Sequence, residues 1–127
     1  MRLEHHYYEL NSMHTGGRHG RFHIALRPDC EVYRGHFPGN PVCPGVCHIQ
    51  TVKELTERLT GCRLRIRSIR LCRLKAVATP SACPELCVDI SLSDTDGGLL
   101  VEACMADAER TYMDFKGEMT KEDTRTE

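Results

Sequence analysis

A chain of 127 residues suits one compact domain, and 40% hydrophobic against 28% charged residues is enough for one core. The formal net charge of −1 gives no electrostatic reason to expect nucleic acid or a membrane surface as partner. The opening MRLEHHYYEL has no apolar export core and no run is long enough to span a bilayer, so a soluble cytoplasmic protein is expected.

In chain order, Tyr7–His14 and Arg21–Leu26 read as two short strands separated by a turn rich in glycine (Gly16, Gly17, Gly20). Arg34 to Gly45 is rich in Gly and Pro and reads as a loop, because neither a helix interior nor a central strand tolerates that composition. Val46 to Thr60 carries the helix pattern. At about 100° per residue, Ile49, Val52, Leu55 and Leu59 fall in one arc, and Lys53 can pair with Glu57 one turn on. Pro44 suits the first turn and Gly61 the position just past the end. Leu64–Val77, Cys83–Ser93, Leu99–Asp107 and Thr111–Met119 are apolar or alternating and read as four strands. Pro80 and Pro84 break the first gap, and Asp94–Gly98 is a turn. No linker or repeat divides the chain. We expect one domain over residues 1–120 and a flexible polar tail over 121–127. Two strands, a helix and four strands make an α+β arrangement, one helix against a mainly antiparallel sheet.

Eight cysteines (30, 43, 47, 62, 72, 83, 87 and 104) would form a disulfide framework in a small secreted chain. Without an export signal, and with most of them inside apolar runs such as VCPGVC, they are expected to be reduced, buried thiols. Cys43, Cys47 and His48 lack a second ligand pair at zinc-site spacing, so no metal is expected.

The stretch GHFPGNPVCPGVCHIQTVKE, Gly35 to Glu54, resembles the motif of the beta-hydroxyacyl-ACP dehydratases of fatty-acid synthesis, the FabZ and FabA type. Gly35, His36, Phe37, Pro38, Pro41, Val42, Pro44, Gly45 and Val46 sit where that pattern has them. The resemblance covers residues 7–119 and implies a hot-dog fold, one long central helix wrapped by a curved antiparallel sheet. It implies that His36 transfers the proton, and that Phe37, Pro44, Gly45 and Val46 contact the substrate. Dehydration of a 3-hydroxyacyl thioester needs a base at C2, assistance to the departing C3 hydroxyl, and donors on the thioester carbonyl. An unperturbed imidazole, titrating near about 6.5, is mostly neutral and able to accept a proton at neutral pH. The N–H groups after the Pro-Gly turn lie at a helix N-terminus, which favours a developing enolate, and Gly45 has no Cβ to block approach. The other histidines, His5, His6, His14, His19, His23 and His48, read as surface or packing residues.

The sequence departs from that family at one chemically important place. Fourteen residues after the motif histidine, where the family has glutamate, this chain has Gln50, and four residues further, where the family usually has glutamine, it has Glu54. The two positions share a side of the helix, about 6 Å apart along its axis. An amide has no titrating proton near neutrality, so Gln50 can orient a leaving hydroxyl but not protonate it. Either Glu54 supplies the acid, or His36 handles both proton steps, or the site binds acyl chains without fast turnover. The bland expectation for Glu54 is a solvated, unpaired helix residue. A second departure follows the next strand, where Pro80 precedes Ser81 and Ala82 instead of Gly-Asp. That strand carries Arg63, Arg65, Arg67, Arg70, Arg73 and Lys75, either a solvated face or a docking patch for an acidic carrier.

The resemblance thus implies a dehydratase acting on 3-hydroxyacyl chains borne by acyl carrier protein, giving trans-2-enoyl products in fatty-acid or related biosynthesis. It implies a homodimer or higher oligomer, or a hetero-oligomer with another hot-dog protein, and no metal or dissociable cofactor. The alternatives are a non-catalytic acyl-carrier-binding subunit, or a thioesterase in which Glu54 activates water.

Overall fold

The computed structural model describes residues 2–34 and 42–122. Residues 35–41, which hold His36 and Phe37, lie outside that description. The chain forms β1 (Tyr8–Gly16), β2 (His19–Leu26), a short 3-10 turn (Glu31–Tyr33), α1 (Gly45–Thr60), β3 (Leu64–Leu74), β4 (Glu85–Thr95), β5 (Gly98–Ala106) and β6 (Thr111–Lys121). All six strands join one antiparallel sheet in the order β1-β2-β4-β5-β6-β3. One α-helix against a six-stranded antiparallel sheet is the hot-dog arrangement expected from the motif.

Side-chain alternation explains which face of the sheet meets α1. Phe22 and Ile24 of β2, Val88 and Ile90 of β4, Val101 and Met105 of β5, and Phe115 and Met119 of β6 are all buried, at even spacings along each strand. They share one core with Val52 and Leu55, which are fully buried on the helix. Burying a side chain of that size contributes roughly 1.5–3 kcal/mol. Ile49, at one margin of the expected arc, and Leu59, in the last turn of the helix, are only partly buried against it. The helix stops where Gly61 adopts φ 76°, its N–H donating to Glu57 O at 2.8 Å.

Several boundaries move. Pro44 is not in the first turn; it is the N-cap, with φ −67° and ψ 144°, and the helix begins at Gly45. The third strand ends at Leu74, short of Val77, and the 3-10 turn at Glu31–Tyr33 carries no periodic pattern that would have announced it. Two residues expected in the polar tail are paired: Lys121 ends β6 opposite Leu64, and the Glu122 N–H donates to Arg63 O at 2.9 Å, while residues 123–127 lie outside the described residues. Backbone pairing to β3 and the residue before it holds these two polar residues in place whatever their side chains prefer.

The cysteines divide. Cys43, Cys47 and Cys83 are buried as expected, four others are half-buried, and Cys72 is exposed because β3 is an edge strand. β3 also breaks register with β6 at Arg67 and Arg70, where bulges leave those two residues without a directly paired partner.

Candidate active site at the helix N-terminus

The entry of α1 is fixed by backbone contacts. The Cys43 N–H donates to Ala78 O at 2.8 Å, which ties the approach to the helix against the loop after β3. The Cys47 and His48 N–H groups both turn back to Pro44 O, at 3.0 and 3.3 Å. Gly45 and Val46 therefore carry the N–H groups that precede the intrahelical ladder, at the positive end of the helix dipole. Val46 is 69% exposed, an unusual position for valine, and Leu74 at the end of β3 is 56% exposed. A Cβ placed on Gly45 would stand 2.9 Å from Leu74 Cδ1, so the glycine keeps this corner open. A cleft of about 710 Å³ opens on the Cys47 side of the entry, between the N-terminal segment and the 3-10 turn.

Gln50, one turn into the helix, is half-buried. Its Nε2 donates to Glu54 Oε2 at 2.9 Å. The expectation of a solvated, unpaired Glu54 is overturned: the residue is 0% exposed. Its Oε2 also accepts from the Leu3 N–H at 2.6 Å, and its Oε1 accepts from the Glu4 N–H at 3.0 Å and the Tyr8 hydroxyl at 3.0 Å. A carboxylate offers about four acceptor sites, and all four are taken. The N-terminal segment folds over this side of the helix to deliver three of the donors.

A charged network extends the same contact. Arg58 donates to Glu4 at 2.5 Å, Arg2 to Glu57 at 3.1 Å, and Lys53 to Glu57 at 3.2 Å, the last being the pair expected from spacing. Glu57 also accepts from the Leu64 N–H at 2.8 Å, linking the helix to the start of β3. Burial pushes the Glu57 carboxyl up, but the Leu64 N–H, Lys53 and Arg2 outweigh it and hold it below the usual carboxylate range. His48 is also buried, and desolvation lowers its imidazole to about 4, so it packs as a neutral ring.

The structure thus brings together Pro44, Gly45, Val46, Gln50 and Glu54 from the expected site; His36 and Phe37 belong to the residues outside the description. It adds Leu3, Glu4 and Tyr8, which sequence reasoning did not single out, since they lie 46 to 51 residues before Glu54. Of the cationic row, Arg70 pairs with Glu118 and Lys75 with Asp114 at 3.2 Å, while Arg65 donates to Thr120 Oγ1 at 3.4 Å. Part of the row is therefore committed to β6.

A single helix cradled by a six-stranded antiparallel sheet and entered through Pro44 and Gly45 defines a hot-dog-fold protein. A family model described as ApeI-like, ApeI dehydratase, matches residues 12–112. The chain belongs to the ApeI-like dehydratase family. The dehydratase heterocomplex ApeI:P from Xenorhabdus doucetiae superposes with a TM-score of 0.71 at 19% identity, covering 89% of this chain and 97% of that one. An uncharacterized protein from Erwinia carotovora subsp. atroseptica gives 0.66 at 18% identity, covering 90% and 96%. The dehydratase domain from the CurJ module of the curacin polyketide synthase gives 0.57 at 10% identity, covering 93% of this chain and 43% of that one. At these identities the structures speak for the fold. A search of curated proteins finds no significant match. No helix among the described residues is long and apolar enough to cross a membrane.

Proposed function

We propose that this protein is a hydro-lyase that removes water from 3-hydroxyacyl thioesters on acyl carrier protein, giving trans-2-enoyl thioesters in fatty-acid or related acyl-chain biosynthesis. The observation that carries the reading is the placement of Gln50 one turn inside an open helix N-terminus, in a chain of the dehydratase family. The N–H groups of Gly45 and Val46 polarise the thioester carbonyl, where charge builds as the C2 proton leaves. His36 takes that proton. The C3–O bond then breaks, and the proton passes from the imidazolium to the departing oxygen, so that water leaves and the C2–C3 double bond forms. Gln50 holds the C3 hydroxyl in line. Phe37, Pro44 and the exposed Val46 line the acyl chain.

Glu54 is a poor candidate for the acid. A general acid must hold a proton on an oxygen, and each Glu54 oxygen already faces two donors. The same saturation leaves it no free lone pair to activate water, which removes the support for a thioesterase. The exposed edge of β3, with Ile69 46% exposed, suits pairing with a second copy or with another hot-dog subunit in the cytoplasm. ApeI:P is a dehydratase heterocomplex, which supports keeping the second option. Arg63, Arg67 and Arg73, exposed on or beside that strand, suit an acidic carrier.

The test is a coupled assay on 3-hydroxyacyl-ACPs of several chain lengths, with wild type and His36→Ala. Turnover by the wild type that His36→Ala abolishes is the expected result. Absence of wild-type turnover on every chain length would instead favour the non-catalytic subunit, and turnover unaffected by His36→Ala would sink the assigned base.

A further inference from the structure

The sheet is longer than the helix it holds. β4 and β6, 11 residues each, run about 36 Å, against about 24 Å for the 16 residues of α1. The difference shows at the far end of the helix, where Gly61 turns the chain away. Leu92 of β4 and Leu99 of β5 continue the inward-facing rows of Ile90 and Val101, yet both are only half-buried. With Leu59 and Cys62, also half-buried, they surround a cleft of about 600 Å³ floored by the buried Leu64 and Met119. Leu99 lies directly opposite Met119 in the β5–β6 ladder, so wall and floor are fixed by backbone pairing. The volume falls within the roughly 300–1,000 Å³ of small-molecule sites. Leu59 lies about 20 Å along the axis from Gly45, so this cleft is separate from the helix entry.

The rim of the cleft is cationic, and its cations come from three elements. Arg18, whose carbonyl accepts from the Leu92 N–H at 2.9 Å, stands in the turn between β1 and β2. Lys121 ends β6. Arg67 sits at a bulge of β3, and its guanidinium reaches the β4–β5 turn, 4.0 Å from where a Cβ on Gly97 would stand. Asp94 accepts from one arm of the Arg18 guanidinium at 2.7 Å; among the described residues, no carboxylate pairs with Arg67 or Lys121. The carbonyl end of α1 also faces this region, so an anionic head sits at the rim and not against Thr60.

We propose that this cleft binds a free long-chain carboxylate. The alkyl chain lies along Leu59, Leu92, Leu99 and Met119, and the carboxylate is held between Arg18, Arg67 and Lys121. A neutral hydrocarbon leaves the cations unused, and a small polar anion leaves the half-covered leucines in water. A flat carboxylate also matches the fork of an arginine better than a point charge does. The site stands apart from the chemistry proposed for the other end of the helix.

The experiment titrates the full-length protein with dodecanoate, below its micelle concentration, by calorimetry and by ¹³C-methyl NMR of leucine, valine and methionine. Dodecanol and dodecyltrimethylammonium supply the same chain with a neutral and a cationic head, and phosphatidylglycerol vesicles supply a lipid surface. The expected result is saturable one-to-one binding of dodecanoate that shifts the methyls of Leu59, Leu92, Leu99 and Met119 and leaves Val46 and Leu74 unmoved. Leu99→Trp, which fills the cleft, abolishes it. Lys121→Glu, on the exposed rim, weakens it by about 3- to 10-fold, the scale of losing one exposed ion pair and gaining a repulsion. Arg67 stays in place in both variants because it also belongs to the surface suggested for the carrier.

Absence of saturable dodecanoate binding overturns the proposal, and so do shifts confined to Val46 and Leu74, which would put the chain at the helix entry. Equal affinity for dodecanoate and dodecyltrimethylammonium, or an unchanged affinity in Lys121→Glu, overturns the carboxylate seat. Binding to vesicles but not to dodecanoate would give the surface to a membrane. Shifts of the four cleft residues that track protein concentration without ligand would give it to a second copy; either result overturns the proposal. Should Leu99→Trp not fold, Lys121→Glu and the methyl shifts decide the matter.

Discussion

Substituting Gly45 by alanine separates the chemistry of the helix entry from its stability. The new Cβ would stand 2.9 Å from Leu74 Cδ1, too close to be left as it is. Leu74 is 56% exposed, however, and the clash involves only the tip of its side chain, which can rotate at about 0.5–1.5 kcal/mol. Alanine recovers up to about 1 kcal/mol over glycine in a helix, less at its first position. The two effects offset, so unfolding free energy in urea should stay within about 1 kcal/mol of wild type. The rate should not. On the proposed mechanism the Cβ intrudes where the thioester oxygen meets the Gly45 and Val46 N–H groups. A displacement of about 1 Å costs on the order of 10²-fold, against 10²–10³-fold for losing an oxyanion donor outright. The assay is kcat/KM on a 3-hydroxyacyl-ACP, with Gly45→Ala/Leu74→Ala as a control that relieves the contact with β3. A Gly45→Ala enzyme of wild-type stability and wild-type kcat/KM would refute the placement of the thioester at this entry. Recovery in the double variant would trace the loss to Leu74 instead.

Three further outcomes concern the remaining buried groups. His48, lowered to about 4 by desolvation, stays neutral in the folded protein but takes up a proton near about 6.5 when unfolded, so stability is full above that value and falls as pH drops towards about 4. At about pH 5 the loss should be about 2 kcal/mol in urea denaturation, and His48→Phe should remove most of it; a flat profile from neutrality to pH 5 would contradict the buried neutral ring. Glu57, held low, adds stability that is present above the ordinary carboxylate range and disappears only at lower pH, as it protonates through its folded value. Cys43, Cys47 and Cys83 should react with a thiol reagent only after denaturation, Cys47 being pushed up to about 11 by burial, whereas Cys72 should label first. Rapid labelling of Cys47 in native protein would contradict its burial in the core.

The helix and the strands are legible in local sequence pattern. Val52 and Leu55 recur at helical spacing, Gly61 offers the left-handed cap, and β2, β4 and β6 alternate buried and open residues, all within a few residues of one another. The motif from Gly35 to Val46 carried the fold and the class of chemistry because its spacing is local too. Glu54 shows where that kind of reading ends. Its neighbour Gln50 is one turn away and could be placed from the helix repeat, but the donors that bury it come from Leu3, Glu4 and Tyr8, a separation that no periodicity encodes. The edge position of β3 is of the same kind. Strand order depends on which hydrogen-bonding edge each chain segment finds after collapse, and β3 finds β6, leaving Cys72, Ile69 and the arginines at the margin. Only the tertiary structure brings those distant groups together, and it turns a glutamate that reads as solvated into the most heavily hydrogen-bonded carboxylate of the site.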